Sequence, residues 1–312
     1  MKDDDYKTGM HHPVLSREVI KYLNIDSIAH LKKEGRIIDA TIGFGGHSKE
    51  FIKRGLRVLG IDEDEVALRY AKKELEKACP VRYRTVSGYF ILVQSNFRNI
   101  DRIALENSFT EVDAILFDLG ISSPQITSNR LGISFSNENA PLDMRINQKS
   151  QSVKACDLLN LLNEQQLIEL FESTLSYINA RQLAKRVVQR RVEKEFVLVG
   201  DLLRVIDELN FRKKKVNKAT LPFLALRIAV NSELENLAEA LPKAFNLLVG
   251  GGRLAIISFH SGEDRIVKNY FTKLEIANTA KVITKKPIIP GIVEKNINPR
   301  SRSSKLRVIE KK

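Results

Sequence analysis

The chain has little cysteine and no long apolar run, and each of these absences excludes a class of protein. It also has no internal repeat, which excludes a repeat protein. Its two cysteines, Cys79 and Cys156, are far apart and lack metal-binding or redox spacing, so we expect reduced thiols and no metal site. No apolar stretch approaches the roughly 20 residues that span a bilayer, which predicts no membrane partner. The polar, acidic N-terminus predicts neither a signal peptide nor a transit peptide, so we expect a cytoplasmic protein.

What the chain does have is length and an uneven excess of positive charge. With 312 residues, of which 43% are apolar and 29% charged, it can form one large globular domain or two ordinary ones. The net charge of +13 is concentrated in residues 181–218 and 281–312, which carry excesses of seven and eight positive charges. Such clusters attract phosphate backbones and favour a nucleic-acid partner. The alternative interpretation is a solvated helix face and a basic tail.

A glycine-rich turn between two apolar runs is the most informative local pattern. RIIDATIGFGGHS at residues 36–48 and RVLGID at residues 57–62 predict a strand, a turn, a helix and a second strand. Gly45 and Gly46 let the backbone turn sharply and let a ligand lie against bare amides. Asp62 ends the second strand, where its carboxylate can accept hydrogen bonds from a ribose diol.

The same turn narrows the choice of ligand. A dinucleotide fingerprint that starts at Gly43 requires a third glycine where this chain has Ser48, and no phosphate-binding lysine follows. Acidic ends to both strands, without a pyrophosphate cradle, favour S-adenosylmethionine. A tight turn that binds no ligand is the alternative.

Apolar runs and helical periodicity predict an open α/β sheet along the rest of the chain. The predicted strands and helices lie at residues 90–95, 113–119 and 253–259, and at residues 16–31, 49–55 and 63–79. The glycines at 250–252 predict a turn, and candidate strands at 280–284 and 304–310 predict a closing antiparallel hairpin.

We therefore predict an α/β fold, an open sheet of the type that binds S-adenosylmethionine, with an inserted all-helical domain. Residues 150–218 are helical and basic without a strand signal, and form the predicted all-helical insertion. Residues 1–149 form the first part of the methyltransferase core, and residues 219–312 form the second part with a basic C-terminal tail.

Polar residues at the ends of several predicted strands indicate one ligand crevice, because ligands lie beyond the carboxyl ends of parallel strands. Asp39, Asp62, Asp118 and His260 follow such strands, and the loop that contains Asp143 is expected to join them. Holding an acceptor atom in line with a methyl carbon supplies much of the rate of methyl transfer.

An exocyclic base amine is a poor nucleophile, because its lone pair is drawn into the ring. A carboxylate that accepts its N–H hydrogen bond favours a localised lone pair, and Asp118 and Asp143 are the candidates. Phe259 or His260 could hold the base out of its stack. Structural alternatives remain for each: Asp118 could cap a turn and His260 could be a satisfied structural histidine. Asp143 could form only a local ion pair with Arg145.

Taken in order, the motifs closely resemble one family, the bacterial ribosomal RNA small subunit methyltransferase H family, also called MraW. They are HHPVLSREV (11–19), DATIGFGGHS (39–48), GIDEDEVAL (60–68), DAILFDLGISSPQ (113–125), PLDMRI (141–146), ALRIAVNSEL (225–234), GGRLAIISFHSGEDRIVK (251–268) and NPRSRSSKLRV (298–308). The resemblance implies a Rossmann-like class I S-adenosylmethionine methyltransferase sheet, interrupted by a helical substrate-recognition insertion at residues 150–218. It also implies S-adenosylmethionine-dependent N4-methylation of a cytidine in the decoding region of 16S rRNA, within the small ribosomal subunit.

The resemblance also assigns site residues. The family's cofactor contacts fall on Gly45, Gly46, His47, Asp62, Phe97, Asp118 and Gln125. The residues predicted to take part in catalysis are Asp118, Asp143 and His260. The chain departs from the family's usual motifs at Phe44, Leu131, Gly262 and residues 177–180 and 217–220, mostly in the predicted substrate domain and surrounding loops.

Other functions stay open from the sequence. The same chemistry could act on DNA or a small molecule, although the Asp/Asn-Pro-Pro-Tyr strand end of DNA amino-methyltransferases is absent and the basic clusters disfavour a free small substrate. A non-catalytic RNA-binding assembly factor could retain the fold, and an NAD-dependent oxidoreductase is a more distant alternative. The sequence fixes neither a general base nor the oligomeric state, and a homodimer stays open.

Overall fold

The computed structural model describes residues 13–32, 34–80, 89–121, 131–209, 211 and 217–312. These residues form two compact units. The sheet unit contains the described residues up to Gly120 together with Leu234–Lys312, and the helical unit contains the described part of Ile121–Glu233. The helical unit is therefore wider than the insertion predicted at residues 150–218.

A seven-stranded sheet forms the centre of the sheet unit, in the order β3-β2-β1-β4-β5-β7-β6. The strands are β1 Arg36–Asp39, β2 Arg57–Asp62, β3 Phe90–Gln94, β4 Val112–Asp118, β5 Leu248–Ser258, β6 Ala280–Val282 and β7 Lys305–Lys311. The first five are parallel, and β7 pairs antiparallel with both β5 and β6. This confirms the predicted Rossmann-like class I methyltransferase sheet and its closing antiparallel strands.

Helices cover both faces of this sheet. They are α1 Ser16–Tyr22, α2 Ile25–Leu31, α3 Gly46–Lys53, α4 Glu65–Ala78, α5 Ile100–Glu106, α11 Glu233–Leu247, α12 Ser261–Ile276 and α13 Ile292–Ile297. Alternation along β4 separates the two cores: Ile115 and Phe117 pack in the cluster that contains residues of α5 and α11, whereas Leu116 packs in the cluster that contains Phe51 of α3. Burial on both faces explains why β4 is a continuous apolar run.

Helix α4 shows how the local sequence fixes an element. The Asp64 side chain caps its first turn by accepting from the backbone N–H groups of Val66 and Ala67. Ala67, Leu68, Ala71 and Leu75 recur at helical spacing and are buried. The next residue after the helix is Cys79, in extended conformation, and it precedes Pro80, which cannot continue a helix.

Two predicted elements differ from the structure. The helix predicted at residues 16–31 is divided into α1 and α2, because Asn24 adopts a left-handed conformation with φ of 59°. The predicted turn at residues 250–252 lies within β5, where the pairing with β4 passes from Val112–Leu248 to Ala114–Arg253. The extra residues form an irregularity in which Gly251 has φ of 78°, so the glycines accommodate a bulge within the strand.

The helical unit has a core of its own. Its helices are α6 Ala155–Leu161, α7 Glu164–Glu172, α8 Tyr177–Glu193, α9 Val199–Asp207 and α10 Thr220–Asn231. Phe223 and Leu226 of α10 are buried in the same apolar cluster as Phe171 of α7, which explains why the unit extends beyond residue 218. At its other end, Pro141 forms a β-bridge with Leu198. Among the described helices, none combines the length and apolarity needed to cross a bilayer.

Candidate functional site

The turn between β1 and α3 brings backbone amides to the carboxyl edge of the sheet. Gly43 and Gly45 have φ of 50° and 82°, a region that costs an L-residue about 1–2 kcal/mol. A Cβ atom at Gly45 would also lie 3.4 Å from the backbone and side chain of Ala71. A Cβ atom at Gly43 would meet only the Thr41 carbonyl oxygen, at 4.0 Å, among the described atoms. The turn therefore needs glycine at Gly45 for its own packing and leaves open space beside Gly43.

Asp62, at the end of β2, faces this turn. The Gly43 N–H donates to its Oδ2 at 2.8 Å, and the Asp64 N–H donates to its Oδ1 at 2.9 Å. Burial raises the pKa of Asp62 to about 7, although both backbone donors favour the charged form. Each carboxylate oxygen keeps a second lone pair, which suits the two hydroxyl donors of a ribose.

A buried group of polar side chains lies next to the turn, between the ends of β1 and β4. The Oγ of Ser48 donates to Asp39 Oδ2 at 2.7 Å, and burial raises the pKa of Asp39 to about 6 despite this hydrogen bond. The His47 Nε2 atom lies 3.5 Å from Oδ2 of Asp118, and both side chains are largely buried. Three sequence-predicted strand-end and turn residues, Asp39, His47 and Asp118, are thus brought together.

Three atoms of this group lack a hydrogen-bond partner among the described residues: Oδ1 of Asp39, Nε2 of His47 and Oδ1 of Asp118. Leaving a buried polar group unpaired costs roughly 1–3 kcal/mol, so a native site normally supplies a partner. S-adenosylmethionine carries an ammonium donor, a carboxylate acceptor and a ribose. The Asp39 carboxylate and the His47 imidazole, beside a glycine turn with Asp62, fit that group, and Oδ1 of Asp118 remains as a further acceptor at the same place.

The position of Asp118 depends on a residue that sequence reasoning missed. The backbone N–H of Asp118 donates to Oγ1 of Thr41 at 2.6 Å, which ties the end of β4 to the turn after β1. Thr41 stands two residues after Asp39, at the point where β1 has already ended. Its only signal in the sequence is a hydroxyl at the start of a glycine-rich turn, which gives no indication of a partner 77 residues away.

Phe97 lies in the short 3-10 helix Phe97–Asn99 that follows β3, where the Asn96 side chain accepts from the Arg98 N–H. Its ring packs edge-on against Phe117 of β4, with centroids 5.5 Å apart and an interplanar angle of 85°. Because Phe97 is only partly buried, part of its ring remains accessible. An adenine contact by Phe97 stays a prediction from the family resemblance.

His260 caps helix α12. Its Nδ1 accepts from the backbone N–H groups of Gly262 at 3.2 Å and Glu263 at 3.5 Å, and Oε2 of Glu263 accepts from the backbone N–H of His260 at 3.2 Å. This reciprocal arrangement is a capping box. Nε2 of His260 lies 3.2 Å from Oε1 of Glu263. The geometry thus gives His260 a structural role, and a catalytic one stays a prediction.

Asp264, beside this cap, links α12 to β7. Its Oδ1 accepts from Nε of Arg307 at 2.6 Å, and its Oδ2 accepts from Nζ of Lys305 at 3.0 Å. Glu263 and Asp264 of this sequence motif therefore have structural roles within the sheet unit. Phe259 packs beside Gly120, because a Cβ atom at Gly120 would lie 3.5 Å from its ring. The Phe259 ring therefore lies beside the backbone of Gly120, two residues after Asp118 at the end of β4.

Asp143 belongs to the helical unit and forms a two-point ion pair with Arg145. Nε and the Nη2 atom of Arg145 donate to its two carboxylate oxygens at 2.7 and 2.8 Å. Nε2 of Gln148 donates to Oδ2 at 3.3 Å. This is the local ion pair that the sequence left open as an alternative, and a catalytic part for Asp143 stays a prediction. Gln125, predicted to contact the cofactor, lies outside the described residues.

Sheet order, glycine turn and strand-end acids together define a methyltransferase that uses S-adenosylmethionine. The sequence profile described as "MraW methylase family" matches residues 8–312. The chain therefore belongs to the MraW methylase family, as its motifs predict.

Three relatives are each named "Ribosomal RNA small subunit methyltransferase H". The one from Dictyoglomus thermophilum is 42% identical over 308 residues, which cover 97% of either chain. The one from Carboxydothermus hydrogenoformans is 39% identical over 321 residues, covering 96% of this chain and 97% of the relative. The one from Methylacidiphilum infernorum is 36% identical over 310 residues, covering 96% and 93%.

Proposed function

We propose that this protein methylates N4 of a cytidine in the decoding region of 16S rRNA, presented within the small ribosomal subunit in the cytoplasm. Its relatives are named for small-subunit rRNA methylation, and its two basic clusters suit a phosphate-rich partner. The observation that carries the proposal is Asp118, a largely buried carboxylate whose Oδ1 has no partner among the described residues.

The cofactor supplies an electrophilic methyl group on a sulfonium. Asp62 would hold the ribose, Phe97 would pack against the adenine, and the amides of Gly45 and Gly46 would lie along the turn. Asp39 and His47 offer an acceptor and a ring nitrogen for the amino-acid part, which needs partners of both kinds. Gln125 remains a family-based candidate contact.

Asp118 would act on the acceptor base. Its Oδ1 would accept a hydrogen bond from the cytidine N4 amine and hold that proton while the nitrogen lone pair becomes available for the new N–C bond. The hydrogen bond from the Asp118 N–H to Oγ1 of Thr41 fixes the backbone of Asp118, so the carboxylate is oriented before the base arrives. Phe259, beside Gly120, would pack against the base.

Asp143 and His260 would take part in catalysis in addition to their structural contacts. The Asp143 carboxylate is already paired with Arg145, and His260 already caps α12. Either could still contact rRNA through an oxygen or nitrogen that is not fully committed, and substitution at each position tests this separately from Asp118.

The test is to incubate the purified protein with S-adenosylmethionine and small subunits that lack the modification, then to digest the rRNA and analyse it by mass spectrometry. We expect N4-methylcytidine at one decoding-region cytidine. Methylation at another position, or none while the cofactor still binds, would contradict the proposal.

Asp118→Asn should bind the cofactor and lose at least about a hundredfold in kcat, a typical effect of removing a positioned proton acceptor. Asp113→Asn is the matched control, because Asp113 lies on the same strand at its other end, where it accepts from the Arg36 N–H and pairs with Lys32. A wild-type rate for Asp118→Asn would refute its role.

A further inference from the structure

The connection between β6 and β7 is strongly basic. We define the C-terminal basic segment as residues 281–304, which contain six lysines and arginines but one acidic residue, Glu294. The six cations are Lys281, Lys285, Lys286, Lys295, Arg300 and Arg302. All but Lys295 are exposed, and Lys295 is partly buried. Glu294 is committed elsewhere, since its Oε1 accepts from the backbone N–H of Leu15 at 2.7 Å.

None of these six side chains forms an ion pair or hydrogen bond with another described residue. The basic cluster of the helical unit differs. Within its described part, Arg186 pairs with Glu208, and Lys194 and Arg204 both pair with Asp201. Arg190 pairs with Glu193, and Arg191 donates to the carbonyl oxygens of Leu159 and Leu162. Among the described residues of the two clusters, the C-terminal basic segment thus has more cations available for a partner's phosphates.

The backbone that carries these cations is anchored. Oγ1 of Thr284, which precedes Lys285, accepts from the Val308 N–H at 2.8 Å. Ile288 exchanges two backbone hydrogen bonds with Leu306, at 2.8 and 2.9 Å. Ser301, between the two arginines, is buried and donates through Oγ to the Asn298 carbonyl oxygen at 2.8 Å. An anchored backbone loses less conformational entropy on binding, so the segment is preorganised.

Apolar side chains are exposed between the cations. Ile289, Ile292, Val293 and Ile297 are 58% to 78% exposed, although each is aliphatic. Neighbouring exposed aliphatic groups mark a contact surface more often than scattered single ones do. An RNA strand whose bases are not all buried in a duplex fits such a surface. Its phosphates match the cations, and its base and sugar faces match the aliphatic groups.

We propose that the C-terminal basic segment is an RNA-binding surface, on which Lys285, Lys286, Arg300 and Arg302 contact phosphates while the aliphatic side chains contact bases or riboses. The inference rests on the proposed function for its rRNA ligand, and it assigns to the β6–β7 connection a binding site distinct from the cofactor turn. Contacts to phosphate give affinity without sequence preference, so this surface would hold the RNA while other residues choose the cytidine.

The test uses the full-length protein and a protein-free transcript of small-subunit rRNA, with binding measured by filter retention across a KCl series. The variant carries K285Q, K286Q, R300Q and R302Q. Loss of four phosphate contacts should reduce the slope of log affinity against log salt by about three, and should weaken binding about a hundredfold at 0.1 M KCl.

The matched control changes the net charge equally at the opposite edge of the sheet. Helix α4 follows β2 and packs near the β3 edge, whereas the segment joins β6 to β7 at the other edge. The control variant carries R69Q, K72Q, K73Q and K77Q. It should keep at least three quarters of the wild-type salt slope. A second variant, I292S with I297S, should weaken transcript binding severalfold without altering the slope.

The outcomes separate this inference from the proposed function. Equal affinities of the wild type and the segment variant would overturn the inference even if N4-methylcytidine is formed. Loss of affinity for whole small subunits with unchanged transcript binding would also overturn it, because the segment would then contact a ribosomal protein. If only the segment variant loses salt-dependent binding to the transcript, the result supports the inference, even if methylation occurs at a different nucleotide.

Discussion

Cofactor binding should depend on pH near neutrality through Asp62. Burial raises its pKa to about 7, and ribose hydroxyls that donate to the carboxylate favour its ionised form. With that pKa, the ionised fraction rises from about one tenth at pH 6 to about nine tenths at pH 8, so the affinity for S-adenosylmethionine should rise about tenfold over this interval. Binding near pH 7 should release about half a proton.

In the free protein, ionisation of Asp62 has the opposite effect: it lowers the stability of the folded state as the pH rises. Because the folded pKa of Asp62 is raised above its ordinary value of 3.8, the folded state binds more protons between that value and about 7. This group therefore stabilises the folded state at low pH, and its contribution is lost as the pH rises through that window. Asp39, with a pKa raised to about 6, acts in the same direction. S-adenosylmethionine should offset this loss most at pH 8.

Isothermal titration calorimetry at pH 6, 7 and 8, in two buffers of different ionisation enthalpy, measures both the affinity and the proton release. Asp62→Asn is the diagnostic variant. One of its side-chain atoms becomes an amide nitrogen, which cannot accept from a ribose hydroxyl, so about 1.5–3 kcal/mol, or roughly ten- to hundredfold in affinity, should be lost. The ratio of wild-type to variant affinity cancels titration of the cofactor's own amino group.

Glu65→Gln is the control, since Glu65 is an exposed carboxylate in the first turn of α4. It should keep the tenfold change. The reasoning is refuted if wild-type affinity is the same at pH 6 and pH 8, or if Asp62→Asn retains the full pH dependence. The latter result would assign the titration to Asp39 or another group.

Three further predictions concern single contacts. Thr41→Val removes the acceptor for the Asp118 N–H, so kcat should fall at least fivefold with little change in cofactor affinity; an unchanged kcat would show that this contact does not position Asp118. His260→Ala should lose about 0.5–2 kcal/mol of stability, because the cap of α12 is missing. His260→Asn should restore both stability and activity. Restored stability without activity would show that the imidazole is needed for the reaction. Phe171→Ala in the fully buried core of the helical unit should cost about 3–5 kcal/mol, measured by urea denaturation, and a loss below 1 kcal/mol would contradict the packing described.

The strands were predictable from the sequence because each is an apolar run bounded by polar or glycine residues. Val112–Asp118 is the clearest example, since both of its faces are buried. The division of the first helix at Asn24 was not predictable, because the apolar period continues across it. The extent of the helical unit was also missed: residues 131–149 have no periodicity, and the apolar face of α10 gives no sign of which core it enters.

At the site, the sequence indicated Gly45, Asp62 and Asp118, because strand ends and positive-φ glycines leave local patterns. It did not indicate that Ser48 holds Asp39 or that Thr41 holds Asp118, since these contacts depend on tertiary geometry. A structural role for His260 was an open alternative in the sequence, and the structure shows its form, a cap that accepts from two backbone N–H groups of α12.

The antiparallel strand β7 has a consequence for the order in which the molecule assembles. It lies between β5 and β6, and Arg253 of β5 reaches Glu310 of β7 across 57 positions of sequence. During synthesis, the sheet therefore remains incomplete, with one edge of β5 unpaired, until residues 305–311 have emerged. The C-terminal basic segment becomes fixed in the same step, because its anchors are Leu306 and Val308. Closure of the fold and formation of the proposed RNA surface are thus one event, which follows the synthesis of the other six strands.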